Sequence, residues 1–177
     1  MPERVHEHLF TSDEKLSWWG NGEWVEEEDL VYWEYKGIKC KVQRVAFADR
    51  SGHMFGGHLC GYIQIPLDHP WASSDPYKID CSVHGGITYG KKEGDGNYWI
   101  GFDCGHSMDI VPSTEKHFRR FDDYLEFEKR FSSICPQIFQ RSYKNIAFCI
   151  GECEDLVDQL LDINNIEDIV KNLKTKE

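Results

Sequence analysis

Residues 57–109 hold four of the chain's eight histidines, His58, His69, His84 and His106, and nine of its fifteen glycines. Histidine is the side chain whose ordinary pKa permits proton transfer near neutrality, and glycine lets backbone amides come close to a ligand. Their concentration in one stretch points to acid/base chemistry beside a bound anion. Val83-His84-Gly85-Gly86-Ile87-Thr88 puts an imidazole at a strand end, and the two glycines after it free the backbone to aim amides at a phosphate. The same residues also suit a bulge with a structural histidine. Gly101-Phe102-Asp103-Cys104-Gly105-His106-Ser107-Met108-Asp109 ends a strand and enters a loop with two carboxylates, a thiol and an imidazole in close succession. Its carboxylates could equally accept backbone hydrogen bonds of the loop.

Together the two motifs predict a phosphodiester-cleaving site. His84 and His106 are its expected acid and base, and Asp103 the group that orients a ring and fixes its tautomer. The Gly85 and Gly86 amides, with Thr88, are the expected phosphate holders, and His69, Trp71, Tyr89 and Asp109 the expected ligand-binding residues. A divalent metal held by His84, Asp103, His106 or Asp109 is a variant of the same chemistry. No metal ligands are otherwise assigned: Cys81-x-x-His84 and Cys104-x-His106 offer donors that zinc accepts, without the spacing of a standard finger. Cys149 and Cys153, four apart on a predicted helix, are expected to be core residues. Gly105-His106-Ser107 looks like the start of a hydrolase nucleophile elbow, but Asp109 stands where that motif needs glycine and the chain lacks alternating βα units. A serine hydrolase is therefore rejected. Trp71, Trp99, Tyr62 and Tyr89 could stack on a nucleobase, although aromatic residues of this kind more often fill a core.

The elements that must position these residues follow from hydrophobic periodicity. Residues 30–35 and 38–47 alternate β-branched or aromatic with polar residues around Lys36-Gly37, a hairpin signal. A loop over 48–57 leads to a third strand over 59–65, closed by Pro66. Residues 78–84, 87–89 and 98–103 are expected to be further strands, with a Gly-rich hairpin loop over 90–97 between the last two. Beyond residue 109 the period changes: Phe121, Tyr124, Leu125, Phe127 and Phe131 suit a short helix. Ile146, Ile150, Cys153, Val157 and Leu160 suit a long one over about 145–162, ended by Asn164-Asn165, with Asn165 capping a terminal helix. The expected fold is α+β: one domain over 1–177, with an irregular Trp-rich arm over 1–29, a mostly antiparallel sheet carrying the site over 30–109, and helices collected at the C-terminal end over 110–177.

Composition sets the outer limits. With 40% hydrophobic and 14% aromatic residues among 177, the chain can bury a core, and a formal charge of −11 disfavours a long nucleic-acid partner while leaving room for a small anionic, nucleotide-type ligand. The first 15 residues lack the apolar region of a signal peptide and no run is long enough to span a membrane, so a cytoplasmic protein with no membrane partner is expected. Seven irregularly spaced cysteines then imply reduced thiols.

Taken in order, Gly20-Asn21-Gly22-Glu23-Trp24, His58-Leu59-Cys60-Gly61-Tyr62, His69-Pro70-Trp71, Val83-His84-Gly85-Gly86-Ile87-Thr88-Tyr89 and Trp99-Ile100-Gly101-Phe102-Asp103-Cys104-Gly105-His106-Ser107-Met108-Asp109 resemble a family of small proteins encoded by bacteriophages, prophages and bacteria. The resemblance covers most of residues 20–109, resumes weakly over 150–160 and finds no match over 113–141. It implies a phage setting within a bacterial host cell more than an activity. Small acidic phage proteins of this kind often counter host immunity, which suggests a hydrolase of a cyclic nucleotide messenger. The alternatives are a non-catalytic sponge that buries such a messenger between protomers of a homo-oligomer, and a domain that inhibits a host protein by binding it.

Overall fold

The computed structural model describes residues 3–94, 96–119, 126, 129–130, 133–134 and 141–174, with backbone only for Ser73 and residues 164–174. Its centre is a six-stranded sheet of β1 (Val5–Glu7), β2 (Leu30–Tyr35), β3 (Ile38–Ala48), β4 (Met54–Ile65), β5 (Tyr89–Lys92) and β6 (Tyr98–Asp103). The spatial order is β1-β2-β3-β4-β6-β5, and every neighbouring pair is antiparallel. Three described α-helices accompany it: α1 (Ser12–Trp19) before the sheet, and α2 (Pro112–Phe118) and α3 (Ile146–Lys174) after it. The α+β class is as expected, and no helix of the described residues is long and apolar enough to cross a membrane.

The Lys36-Gly37 hairpin forms where the sequence places it, with φ of 49° and 82° at the two turn residues, the left-handed pair that a two-residue turn between twisted strands requires. One face of the sheet then carries Val31, Trp33, Cys40, Val42, Leu59, Ile63, Ile100 and Phe102, all buried. Against it lies α3, whose Cys149, Cys153, Leu156, Val157 and Leu160 are buried at the helical spacings the sequence shows. A smaller cluster of Trp19, Trp24 and Val25 sits under α1.

Four expectations about the elements are corrected. The arm over 1–29 is not irregular throughout: β1 pairs with β2, and Thr11 caps α1 in a capping box with Glu14, a reciprocal pair that satisfies two otherwise orphaned amides. Residues 48–57 are less loop than expected, because Asp49 ties a tight turn through the amides of Ser51 and His53, and β4 starts at Met54. Residues 78–84 form no strand: Lys78 ends a 3₁₀ turn begun at Pro76, residues 79–83 join no ladder and His84 enters a turn. The Ser82 amide donates to Gln159 Oε1 at 2.7 Å and the His84 amide to Glu152 Oε2 at 2.6 Å, so α3 side chains take the place of a neighbouring strand. Finally, α3 runs through Asn164 and Asn165 instead of ending there; asparagine inside a helix costs no more than about 0.7 kcal/mol, too little to force a break. The aromatic residues of the helix expected over 121–131 lie outside the described residues.

Behind the sheet face a buried ionic network joins the elements. Arg44 donates to Asp29 Oδ1 (2.6 Å), the Gly57 carbonyl (2.7 Å), Tyr143 Oη (2.8 Å), Glu27 Oε2 (2.9 Å) and the Glu28 carbonyl (3.1 Å). These five bonds match the five donors of a guanidinium. Asp29 also accepts the Leu9 and Phe10 amides and pairs with buried Lys15, while Glu27 Oε1 accepts the Ile146 amide at the start of α3. Removing one member of such a network leaves the others charged and dry. Arg44→Met is therefore expected to destabilise the fold by about 3–5 kcal/mol, read as a fall in the urea midpoint. A cost below about 1 kcal/mol would show the network to be no stronger than a surface ion pair.

Candidate functional site

The two motifs singled out by sequence meet at one point. After β6, the Cys104 amide bonds the Leu59 carbonyl of β4, the Gly105 amide bonds Asp103 Oδ1, and a turn closed by Asp109 N–H to the His106 carbonyl swings Asp109 back under His106. Main-chain bonds between residues 108–110 and Ser142 hold that turn against the segment leading into α3. From the other side, the residues before β5 bring in His84 on a turn in which the Gly86 amide donates to the Val83 carbonyl. Glu152 fixes the His84 main chain, and the Phe148 ring meets the His84 ring edge-on with centroids 5.3 Å apart.

At the centre is the Asp109 carboxylate. Its Oδ2 lies 2.9 Å from His84 Nε2, 3.2 Å from His106 Nδ1 and 3.0 Å from the His106 amide. The two imidazoles stand edge-to-face with centroids 5.2 Å apart. Asp109's side chain is 1% exposed, against 22% for His84 and 34% for His106, so a buried charge carries two rings that reach solvent. Burial works to raise the Asp109 carboxyl, but hydrogen bonds from the His84 ring, the His106 amide and the His106 ring outweigh it and hold the carboxyl below its ordinary value.

The roles expected from sequence are redistributed by this geometry. His84 and His106 come together, but the carboxylate between them is Asp109; Asp103 serves the Gly105 amide. The Gly85-Gly86 pair does not present two free amides to an anion, because the Gly86 amide closes the turn. Gly85 instead makes room: a Cβ there would lie 2.0 Å from His106 Cε1, and its φ of 68° belongs to the left-handed region. Thr88 is tied by its amide to the Gly101 carbonyl. His69 and Trp71 are buried together, the His69 ring accepting the Trp71 amide as the cap of a 3₁₀ turn, and Trp71 belongs to the main core. Tyr89 sits on β5, its ring edge-on to Tyr62 and its hydroxyl donating to Glu93. The side chains brought together are those of His84, His106 and Asp109. The four-ligand zinc idea also fails: Cys104 Sγ lies 3.6 Å from Cys149 Sγ in the core, while the group with metal-ligand placement among the described residues is His84, His106 and Asp109.

Two neighbours were not assigned a role from sequence. His58, on β4 and on the same side of Gly105 as Asp103, has a buried Nδ1 with no partner among the described residues. Burial pushes its imidazole below the ordinary value against the pull of Asp103 and Asp109. Period-two alternation was the available signal, since His58 shares its strand face with Cys60, the register partner of Asp103. Lys144 Nζ lies 4.9 Å over the Phe148 ring that touches His84, which brings a cation to the trio's side of α3. A cavity of about 280 Å³ lies elsewhere, lined by Val5, Tyr32, Trp33, Lys39, Cys40 and Trp99 among others.

No family model matches the chain, and no curated protein or solved structure is significantly similar to it.

Gly85→Ala is expected to push the His106 ring off Asp109 while β6 and α3 keep their core. In ring-selective NMR spectra the His106 signals should shift far more than those of His69. Unchanged His106 signals would show that the close approach is not what holds the ring.

Proposed function

We propose that the protein hydrolyses a phosphodiester in a small nucleotide-type ligand, with His84, His106 and Asp109 as the centre that activates the attacking water. The observation that carries the chemistry is one buried carboxylate oxygen within hydrogen-bond distance of two partly exposed imidazoles. In-line displacement at phosphorus places the attacking and leaving oxygens on opposite sides. With His84 Nε2 and His106 Nδ1 tied to Asp109, the nitrogens left to exchange a proton with the water or the leaving oxygen are His84 Nδ1 and His106 Nε2. Asp109 takes the orienting role expected of Asp103. Lys144 Nζ, over the Phe148 ring that meets His84 and bonded to Ser142 Oγ, adds positive charge at that end of α3 in a chain whose net charge is −11.

The biological setting we infer rests on the likeness to phage-encoded proteins read from the motifs of residues 20–109 alone. The protein is then a counter-defence factor acting in the cytoplasm of the bacterial host on a cyclic nucleotide immune messenger.

Incubation with a panel of cyclic dinucleotides and ADP-ribose-type messengers, followed by heating and chromatography, tests this reading. Loss of a messenger to a linear product is the expected result, slowed at least about 10²-fold by His84→Ala with the urea midpoint little changed. Recovery of the intact compound after heating would replace the hydrolase with a sponge, and binding of none of the panel would favour a domain that inhibits a host protein.

A further inference from the structure

We propose that His84, His106 and Asp109 hold one divalent transition-metal ion of the zinc class, and that the attacking water is bound to it. The proposal deepens the hydrolase reading by naming how the trio activates water, and it rests on that reading for the role of the ion, though not for its binding.

The first argument is geometric. His84 Nε2, His106 Nδ1 and a carboxylate oxygen of Asp109 all lie within 4.8 Å of one another. A tetrahedral ion with bonds of about 2.0–2.1 Å sets its ligands roughly 3.3–3.4 Å apart. The distances of 2.9 and 3.2 Å from Asp109 Oδ2 to the two ring nitrogens come within a few tenths of an ångström of two of those edges, and the third, between the ring nitrogens, is within 4.8 Å and closes by a small turn of the partly exposed rings. Two imidazole nitrogens and one carboxylate oxygen are also the donor set of a catalytic zinc, which keeps its fourth position for water. The partial exposure of both rings leaves that position a route to solvent.

The second argument is independent of the first. Asp109 Oδ1 is buried and has no hydrogen-bond partner among the described residues, while Oδ2 takes all three bonds. A dry carboxylate oxygen left unpaired is costly, and an ion at the carboxylate compensates it. The thiols do not compete: Cys104 is turned to Cys149, and burial pushes the Cys60 thiol up to about 12. The site therefore offers nitrogen and oxygen without thiolate, a set that suits an open hydrolytic centre better than a closed structural one.

Binding of the ion shifts each ring proton that points at Asp109 to the other nitrogen of the same ring, and the bound water loses a proton to solvent near neutrality. The resulting hydroxide oxygen forms the new bond to phosphorus. The opposite P–O ester bond breaks with its electron pair on the leaving oxygen, which takes up one proton from solvent.

The test uses the full chain without a histidine tag, stripped with a chelator, dialysed and titrated with Zn²⁺. The expected result is about one equivalent retained through gel filtration, and tetrahedral visible bands when Co²⁺ replaces Zn²⁺. His84→Ala and His106→Ala should each bind at least about tenfold more weakly, and exposed His53→Ala should bind as the wild type does. Asp109→Asn should lose the cobalt bands; if it does not fold, the two histidine variants decide. Folded wild-type protein that retains neither ion, or histidine variants that bind as tightly as it does, would overturn the proposal. Messenger cleavage by such metal-free protein would leave the hydrolase standing without the ion, whereas stoichiometric metal with no messenger cleaved would do the reverse.

Discussion

A single carboxylate oxygen, Asp109 Oδ2, receives the His84 ring, the His106 ring and the His106 amide, and the site exists because the fold keeps that charge out of water. In bulk solvent such contacts would be screened and mobile. At 1% exposure the charge acts through a less polar medium, and each N–H aimed at it is held more firmly. The two imidazoles arrive on different chain segments, so their convergence depends on everything that fixes those segments: the β4–β6 register behind His106, and the α3 side chains that hold the chain at His84.

The position of α3 depends in turn on the buried Arg44 network, since Glu27 joins the guanidinium to the first amide of that helix. A path of hydrogen bonds and packing thus runs from the N-terminal arm through Arg44 and α3 to Phe148, Glu152 and His84. The arm contributes stability. Its acids Glu27 and Asp29 offset the charge of Arg44 and Lys15 inside the core, so the network is neutral as a whole and the sequence's surplus of negative charge lies outside it.

Strands set by local signals were legible in the sequence, and features set by distant partners were not. The Lys36-Gly37 turn and the four-and-three spacing from Ile146 to Leu160 needed only local chemistry. The Thr11–Glu14 capping box was equally readable, but the tryptophans around it drew attention to an irregular arm. Residues 78–84 alternate in type like a strand, and the amides of Ser82 and His84 do find partners two residues apart; that these are Gln159 and Glu152 depends on a helix about 70 residues away, which no local pattern contains. Asp103 and Asp109 flank His106 on either side, and only the turn closing 106–109 decides between them. The glycine pair reads in the sequence as room for amides to reach an anion; in the structure a protein imidazole, His106, comes close to Gly85, and Gly86 has open space around it.

The most direct measurement of the central claim is a long-range proton–nitrogen spectrum of the imidazoles in metal-free protein at mildly alkaline pH. The account predicts a proton on Nε2 of His84 and, against the preference of free imidazole, on Nδ1 of His106, with both assignments lost in Asp109→Asn. Ordinary, independently titrating rings that ignore the Asp109 substitution would contradict it.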